Sequence, residues 1–279
     1  MRYLFLILFF FISFDGYSQV SRNFNKKKKP LYELGAGFVG LSTPNYPGAA
    51  SNTPRYIPAP LFIYRGDLFR SDEDGTRARL INSDIVELGA SAGFNFPIDS
   101  NSNASREGMP DTDTLFGIGP GLLVKLLKGD PLNKLTVGVG LRINLAIGKQ
   151  FFIAEQGWVI EPRIRYWRKL NRNSDIRLFS SLSLSYGDKK YNQFFYQVDP
   201  KFETEDRKAY DAVEGIVNIR GSVGGSYDFS EKATIFLGIF ESNLTAAANK
   251  ESPLVQEQTN TGYIIGFVWL FYESDKLVE

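Results

Sequence analysis

The chain has 279 residues, with 32 Lys and Arg against 31 Asp and Glu, so its formal charge of +1 offers no basic field for nucleic acid. It contains neither histidine nor cysteine, which excludes Ser-His and Cys-His nucleophiles, the usual zinc ligand sets, disulfides and lipid attachment through an N-terminal cysteine. Its 26 Gly, 23 Phe and 14 Tyr accompany a mean hydropathy of −0.19, far too polar for a bundle of membrane helices.

In chain order, Met1 and Arg2 give a positive start, Tyr3 to Phe14 an apolar run, and Gly16-Tyr17-Ser18 a small-x-small site. The run of about twelve residues is too short to span a bilayer, for which roughly twenty are needed. Residues 1–18 therefore read as a signal peptide removed on export. Residues 19–30, with the lysine run 26–29, read as a solvated N-terminal periplasmic tail. Residues 31–279 are expected to form one domain.

Within that domain, segments alternate between apolar and polar positions with the period of a strand. Strands are expected near 31–41, 57–64, 67–71, 75–81, 84–96, 114–127, 133–147, 156–169, 174–187, 214–228, 232–242 and 261–273. The clearest is LTVGVGLRINLAI (135–147): Leu135, Val137, Val139, Leu141, Ile143, Leu145 and Ile147 share one face, and Thr136, Gly138, Gly140, Arg142, Asn144 and Ala146 the other. Trp158, Ile160, Ile164 and Tyr166 likewise oppose Glu161, Arg163 and Arg165. Ile176, Leu178, Leu182, Leu184 and Tyr186 oppose Arg177, Ser181, Ser183 and Ser185, and Val217, Ile219, Val223 and Tyr227 oppose Asn218, Arg220, Ser222 and Ser226. The short pair between Asp67 and Ile81, interrupted by the turn SDEDG (71–75), is the least regular; it either completes the sheet or extends one hairpin beyond the membrane. Pro120 and Pro162 fall inside strands, where a bulge is expected at each. The final strand is apolar on both faces, so alternation leaves its orientation open.

Such a pattern fits a soluble sheet or a membrane barrel. The connectors decide. KGDPL (128–132), GKQFFIAEQG (148–157), LNRNSD (170–175), the span 187–213, FSEK (229–232) and the span 243–260 run short, long, short, long, short, long. Outer-membrane barrels have short periplasmic turns and long external loops, and a soluble sandwich has no reason for that order. The expected fold is an all-β antiparallel transmembrane barrel of about twelve strands, surrounded by outer-membrane lipid. Its lumen is expected to hold Glu33, Glu87, Lys125, Arg142, Asn144, Glu161, Arg163, Arg165, Asn218 and Arg220, with the arginines balanced by Glu33, Glu87 and Glu161 in one interior network. No catalytic, cofactor-binding or metal-binding residue is assigned. SDEDG and the DTD of residues 111–113 read as solvated turns, since calcium needs six or more oxygens. The glycines of GAGFVG (35–40) and GIGPG (117–121) alternate within strands and make room in a crowded interior rather than cradle phosphate.

The stretch NYPGAASNTPRYIPAPLFIYRGDLF (45–69) resembles the first loop and second strand of the MipA/OmpV family, in which a Y-P-G loop precedes a P-L-F-x-Y-R-G-D-type segment. AYDAVEG (209–215) resembles the family's tyrosine-containing lead into a late strand, and SPLV (252–255) the small motif of its last long loop. The likeness runs from about residue 32 to 273; the loop PIDSNSNASREGMPDTD (97–113) departs from the family's pattern. The resemblance implies an outer-membrane protein without established catalytic residues, some of whose relatives are described as scaffolds linking a lytic transglycosylase to a cell-wall synthase, others as surface antigens. Two functions follow: an envelope scaffold that meets a periplasmic murein hydrolase or synthase, or a narrow channel for small solutes.

Overall fold

The computed structural model describes residues 29–66, 69–72, 75–83, 85–127, 129–130, 132–148 and 153–278. The expected signal peptide, most of the tail with Lys26 to Lys28, and Glu73 and Asp74 of SDEDG lie outside them. The strands are β1 (Lys29–Pro30), β2 (Tyr32–Pro44), β3 (Asn52–Arg65), β4 (Phe69–Asp72), β5 (Gly75–Asn82), β6 (Val86–Asn95), β7 (Thr114–Lys125), β8 (Asn133–Ile147), β9 (Ile153–Lys169), β10 (Ile176–Gly187), β11 (Gly215–Ser230), β12 (Ala233–Asn243), β13 (Thr259–Glu273) and β14 (Leu277–Val278). Among the described residues, β2 to β13 close into a twelve-stranded antiparallel barrel in sequence order, sealed where β13 pairs with β2 from Tyr263–Ser42 to Glu273–Glu33. β1 and β14 form a separate ribbon, so the end of the expected tail pairs with the C-terminal residues.

The alternation read from sequence sets inside and outside. Val137, Leu141 and Ile143 of β8, Ile164 of β9, Leu178 and Leu182 of β10 and Val223 of β11 are exposed, while Thr136, Arg142, Asn144, Arg165 and Arg177 between them are buried. A wall that turns large apolar side chains outward and arginines inward is the inverse of a soluble core, and it is the arrangement lipid selects. No helix among the described residues is long and apolar enough to cross a membrane; the chain crosses with strands. The final strand resolves the same way: Tyr263, Ile265, Phe267, Trp269 and Phe271 face out, and Val268 and Leu270 face in.

Neither in-strand proline produces a bulge. Pro120 pairs with Ala90 in an unbroken β6–β7 register, and on the β8 side the pairs lapse after Ile118–Ile143 and resume at Gly121–Gly140 in the same register. Pro162 sits opposite Val139 in register, and toward β10 the pairs lapse only between Ser183–Arg163 and Tyr186–Ile160. Each ring omits a donor on one side without inserting a residue. Register shifts lie elsewhere: opposite Ile143 to Leu145, where Gly157 adopts φ +75°, between Ser185 and Tyr186, and also at Arg79 to Ile81, Asp228 to Ser230 and Leu270 to Tyr272. The second removes Val217 from the outer face and buries it, against the alternation read from sequence.

Helix α1 (Lys189–Tyr196), absent from the sequence reading, follows β10. Asp188 caps it, its carboxylate accepting from the Tyr191 N–H at 2.9 Å. Its buried face, Tyr191, Phe195 and Tyr196, joins Tyr46, Ile98, Val198, Ala212 and Leu254 in an apolar core at the end of the barrel that carries the long loops. Short turns, both described chain ends and the β1–β14 ribbon occupy the other end, which is the periplasmic one by the rule of connector lengths.

Candidate functional site in the lumen and its external cap

The lumen begins with Arg142. On β8 it points inward and reaches along the wall, its guanidinium donating to Glu161 Oε2 at 2.9 Å and to Ser91 Oγ at 3.2 Å, on the neighbouring strand β9 and on β6 two strands away. Glycine permits that path. A Cβ on Gly93 would stand 2.9 Å from Arg142 Nε, and one on Gly117 2.7 Å from Asn144 Oδ1. These small residues leave a trough in the wall for the two polar side chains, the interior room expected of GIGPG. Arg163 also donates to Glu161, and Ser185 Oγ donates to it at 3.3 Å. Arg220 on β11 donates from Nε to Ser242 Oγ at 3.0 Å and lies 4.9 Å over the Phe240 ring. Asn144 donates to the Gly157 carbonyl at 3.3 Å, and Asn218 is buried near the same end of the barrel.

Other residues expected in that network have close partners of their own. Glu33 accepts from Arg65 at 2.6 Å near the periplasmic end, where Arg65 also donates to the Pro30 carbonyl at 2.9 Å. Glu87 faces Lys125 at 3.6 Å. Arg165 lies 5.9 Å over Trp167. A further pair, Arg177 with Asp228 at 2.5 Å, was not assigned from sequence. The charges are held along the wall: Arg142 and Arg163 share Glu161, while Glu33 with Arg65, Glu87 with Lys125 and Arg177 with Asp228 join adjacent strands, because neighbouring inward side chains meet at strand spacing before any can reach the opposite wall. Opposite the arginines the inner wall is apolar: Val39, Leu41, Ile63, Phe236, Val268 and Leu270 form a second buried cluster.

The external cap was missed because its loops have no periodicity. The three loop segments that carry the family likeness meet in it, together with α1 and the 97–113 loop. Tyr46 of the Y-P-G loop donates from its hydroxyl to the Leu254 carbonyl of SPLV at 2.9 Å. Gly48, at φ +94°, donates its N–H to Asn260 Oδ1, and Asn260 returns a bond to the Ala49 carbonyl at 2.8 Å. Ser252 donates to the Tyr196 carbonyl at 2.8 Å, while Tyr210 of AYDAVEG donates to Asn249 Oδ1 at 3.3 Å. Arg207 fastens two loops, donating to the carbonyls of Ser105 and Glu107 at 3.0 and 2.9 Å. Asp111, in DTD, accepts the Ser100 N–H at 3.0 Å within its own loop, and no group of three or more acidic side chains placed to hold a metal ion occurs among the described residues. α1 carries the cap into the lumen: burial pushes the Tyr191 hydroxyl up to about 12, in the field of Arg142, Glu161 and Arg220, with Asn95 as its hydrogen-bond partner. Burial likewise raises Tyr196 well above the ordinary phenol value.

A match to the family described as MltA-interacting protein MipA spans residues 34–271, from the first barrel strand to the last. The chain belongs to this family. It is a MipA-family outer-membrane β-barrel, the family that its loop motifs resemble. No curated protein matches it. Among solved structures it is similar to an outer-membrane channel from Pseudomonas putida F1, at 10% identity over 90% of this chain and 99% of that one, with a TM-score of 0.46. It is also similar to the translocator domain of the autotransporter NalP from Neisseria meningitidis, at 11% identity over 86% and 88% of the two chains, with a TM-score of 0.45.

Proposed function

We propose that the protein is a structural barrel of the outer membrane, exported through a cleaved signal peptide, with an occluded lumen and a periplasmic end that docks envelope proteins such as murein-remodelling enzymes. One observation carries the occlusion. Side chains that point into the lumen are nonetheless buried, Glu33 to 3%, Glu87 to 2% and Arg142 to 6% exposure, whereas an open aqueous channel would wet them. The cap above and the wall-bound pairs below leave this barrel shaped for holding rather than for bulk flow, and the reading assigns it no catalysis. The docking half of the reading rests on the family's description as MltA-interacting and on the exposed short-turn end. The test has two parts: purified protein in planar bilayers should give no steady ion current, and the same protein should retain a lytic transglycosylase from envelope extract in a manner lost on altering the periplasmic turns. A steady current in wild type would instead favour the narrow-channel reading, which a cavity lined by Phe94, Phe96, Phe179, Phe240 and Arg220 supports.

A further inference from the structure

Between β3 and β6 the barrel wall is low. β4 and β5 supply four and eight residues where their neighbours supply fourteen and ten. Among the described residues only Tyr64–Ser71 and Arg65–Arg70 join β3 to β4, and the β5–β6 pairs end at Arg79–Gly89. No ladder pair joins Asn52 to Leu61 to a strand on this side among the described residues, although the other edge of β3 is paired with β2 throughout. Twenty residues separate Arg65 from Val86, too few for two strands as long as β3.

The sequence of β3 is built for that open edge. Arg65 donates its N–H toward the β2 side, to the Leu31 carbonyl at 2.8 Å, so alternate residues direct their backbone groups to the gap: Pro54, Tyr56, Pro58 and Pro60. Three of these four are proline. Proline is tolerated in a strand where no donor is needed, and here it removes the N–H groups that lipid would leave unsatisfied. What remains is an edge rich in carbonyl acceptors and poor in donors. Such an edge cannot template a further strand, which would need both in alternation, but it suits a molecule that brings a hydroxyl.

On its β6 side, at Phe94 to Phe96, the gap borders a cavity. Arg55 points inward from β3, donates to Thr43 Oγ1 at 3.0 Å, and lies 4.3 Å over the ring of Phe96, just beyond the end of β6. This contact spans the gap at its upper rim. Phe96 and Phe94 then line a cavity of about 160 Å³ together with Phe179, Phe240, Ile264 and Arg220. That space is close to an apolar cavity of about 150 Å³ known to admit benzene.

We infer that the wall between β3 and β6, above the β4–β5 hairpin, is a lateral portal, through which a single-ring, phenol-like molecule passes between the outer leaflet and this aromatic cavity. The apolar body partitions from lipid onto the rings, and the hydroxyl finds carbonyl acceptors at the edge of β3 and polar side chains such as Ser222 and Asn95 within.

The test uses the absence of native cysteine. Ser222→Cys places the only thiol of the chain in the cavity wall. In lipid vesicles, with rates normalised to a free thiol in water, N-phenylmaleimide should label it at least about tenfold faster than a charged methanethiosulfonate sulfonate, because the apolar reagent arrives through the bilayer. 4-Ethylphenol should slow that labelling saturably, and Phe96→Ala or Arg55→Gln, which open the rim, should speed it several-fold. Equal or faster labelling by the charged reagent would place access along the barrel axis and overturn the portal. So would the lack of saturable protection, or unchanged rates in both rim variants when each still shows the gel shift of a folded barrel.

Discussion

The Tyr46 hydroxyl donates to the Leu254 carbonyl across 208 residues of sequence, at 2.9 Å and fully buried, and it also meets Ser105 Oγ at 2.8 Å. Three external loops thus share one phenol. Tyr46→Phe keeps the ring against the Arg106 guanidinium but strands a buried carbonyl, which costs about 1–3 kcal/mol. Because the barrel ladders are untouched, the expected result is faster cleavage of the external loops by added protease, with the heat-dependent gel shift unchanged. A variant as resistant as wild type would show that the cap is held by its apolar core alone.

The inside and outside of β8 can be tested at one pair of neighbours. Val139 lies on the outer face with Val137 and Leu141, so Val139→Arg should destabilise the barrel by about 2–4 kcal/mol if that position is near the midplane. Gly138 faces inward, where a Cβ would meet the Leu122 carbonyl at 3.0 Å, so Gly138→Ala should cost a tight contact but less than the lipid-facing charge. Unfolding titrations in lipid vesicles that gave the opposite order would reverse the two faces.

These faces were legible because lipid and lumen impose opposite demands on alternate residues, and β8 to β11 carry that demand along most of their length, the bulge at Val217 apart. The final strand lacked it, since its inner face is also apolar. Its glycines held the missing signal: a Cβ on Gly262 or Gly266 would come within 2.2 Å of the Phe240 or Phe236 ring, so the face that alternates glycine with Ile264 and Val268 has to be the inner one. Arg65 went unassigned because β3 reads as proline-rich rather than alternating, and its pairing with Glu33 needs the β2–β3 register. The cap was illegible for a different reason. Its residues lie in loops whose contacts are all long-range, and only the family likeness picked out the motifs that the fold brings together.

Glu161 is the acceptor for both Arg142 and Arg163, so Glu161→Gln removes the charge shared by two inward arginines. Removing one partner of a buried pair costs about 3–5 kcal/mol; with the Glu161 side chain 17% exposed, the effect should fall toward the lower end. Thermal unfolding should drop while insertion persists. Arg142→Ala should add a second effect, because it vacates the trough over Gly93 and Gly117, and a small anion-selective or unselective current should appear in planar bilayers. Unchanged stability and silence in both variants would leave these charges as solvated wall residues.

The buried phenols make the cap sensitive to alkali, with a sign that can be worked out. An acid whose folded-state value is raised is held neutral by the fold, so the unfolded loops release its proton first. For Tyr191, raised from 10.0 to about 12, the stabilisation is complete below pH 10 and is lost as pH rises from 10 toward 12. Tyr196 acts in the same direction, as burial raises it also. The barrel wall has no comparable dependence on these groups, so protease resistance of the external loops should fall across that interval before the gel shift of the folded barrel is lost. Burial raises Tyr46 and Tyr210 of the cap too, so Tyr191→Phe removes one of several such titrations and should move the midpoint of loop cleavage upward. It also removes the hydroxyl from the field of Arg142 and Glu161, so the variant is compared with itself at pH 8. A cleavage profile flat from pH 8 to about 12, the interval in which an exposed phenol ionises, would mean that α1 leaves the barrel mouth without unfolding cost and that its two tyrosines are not what holds the cap in place.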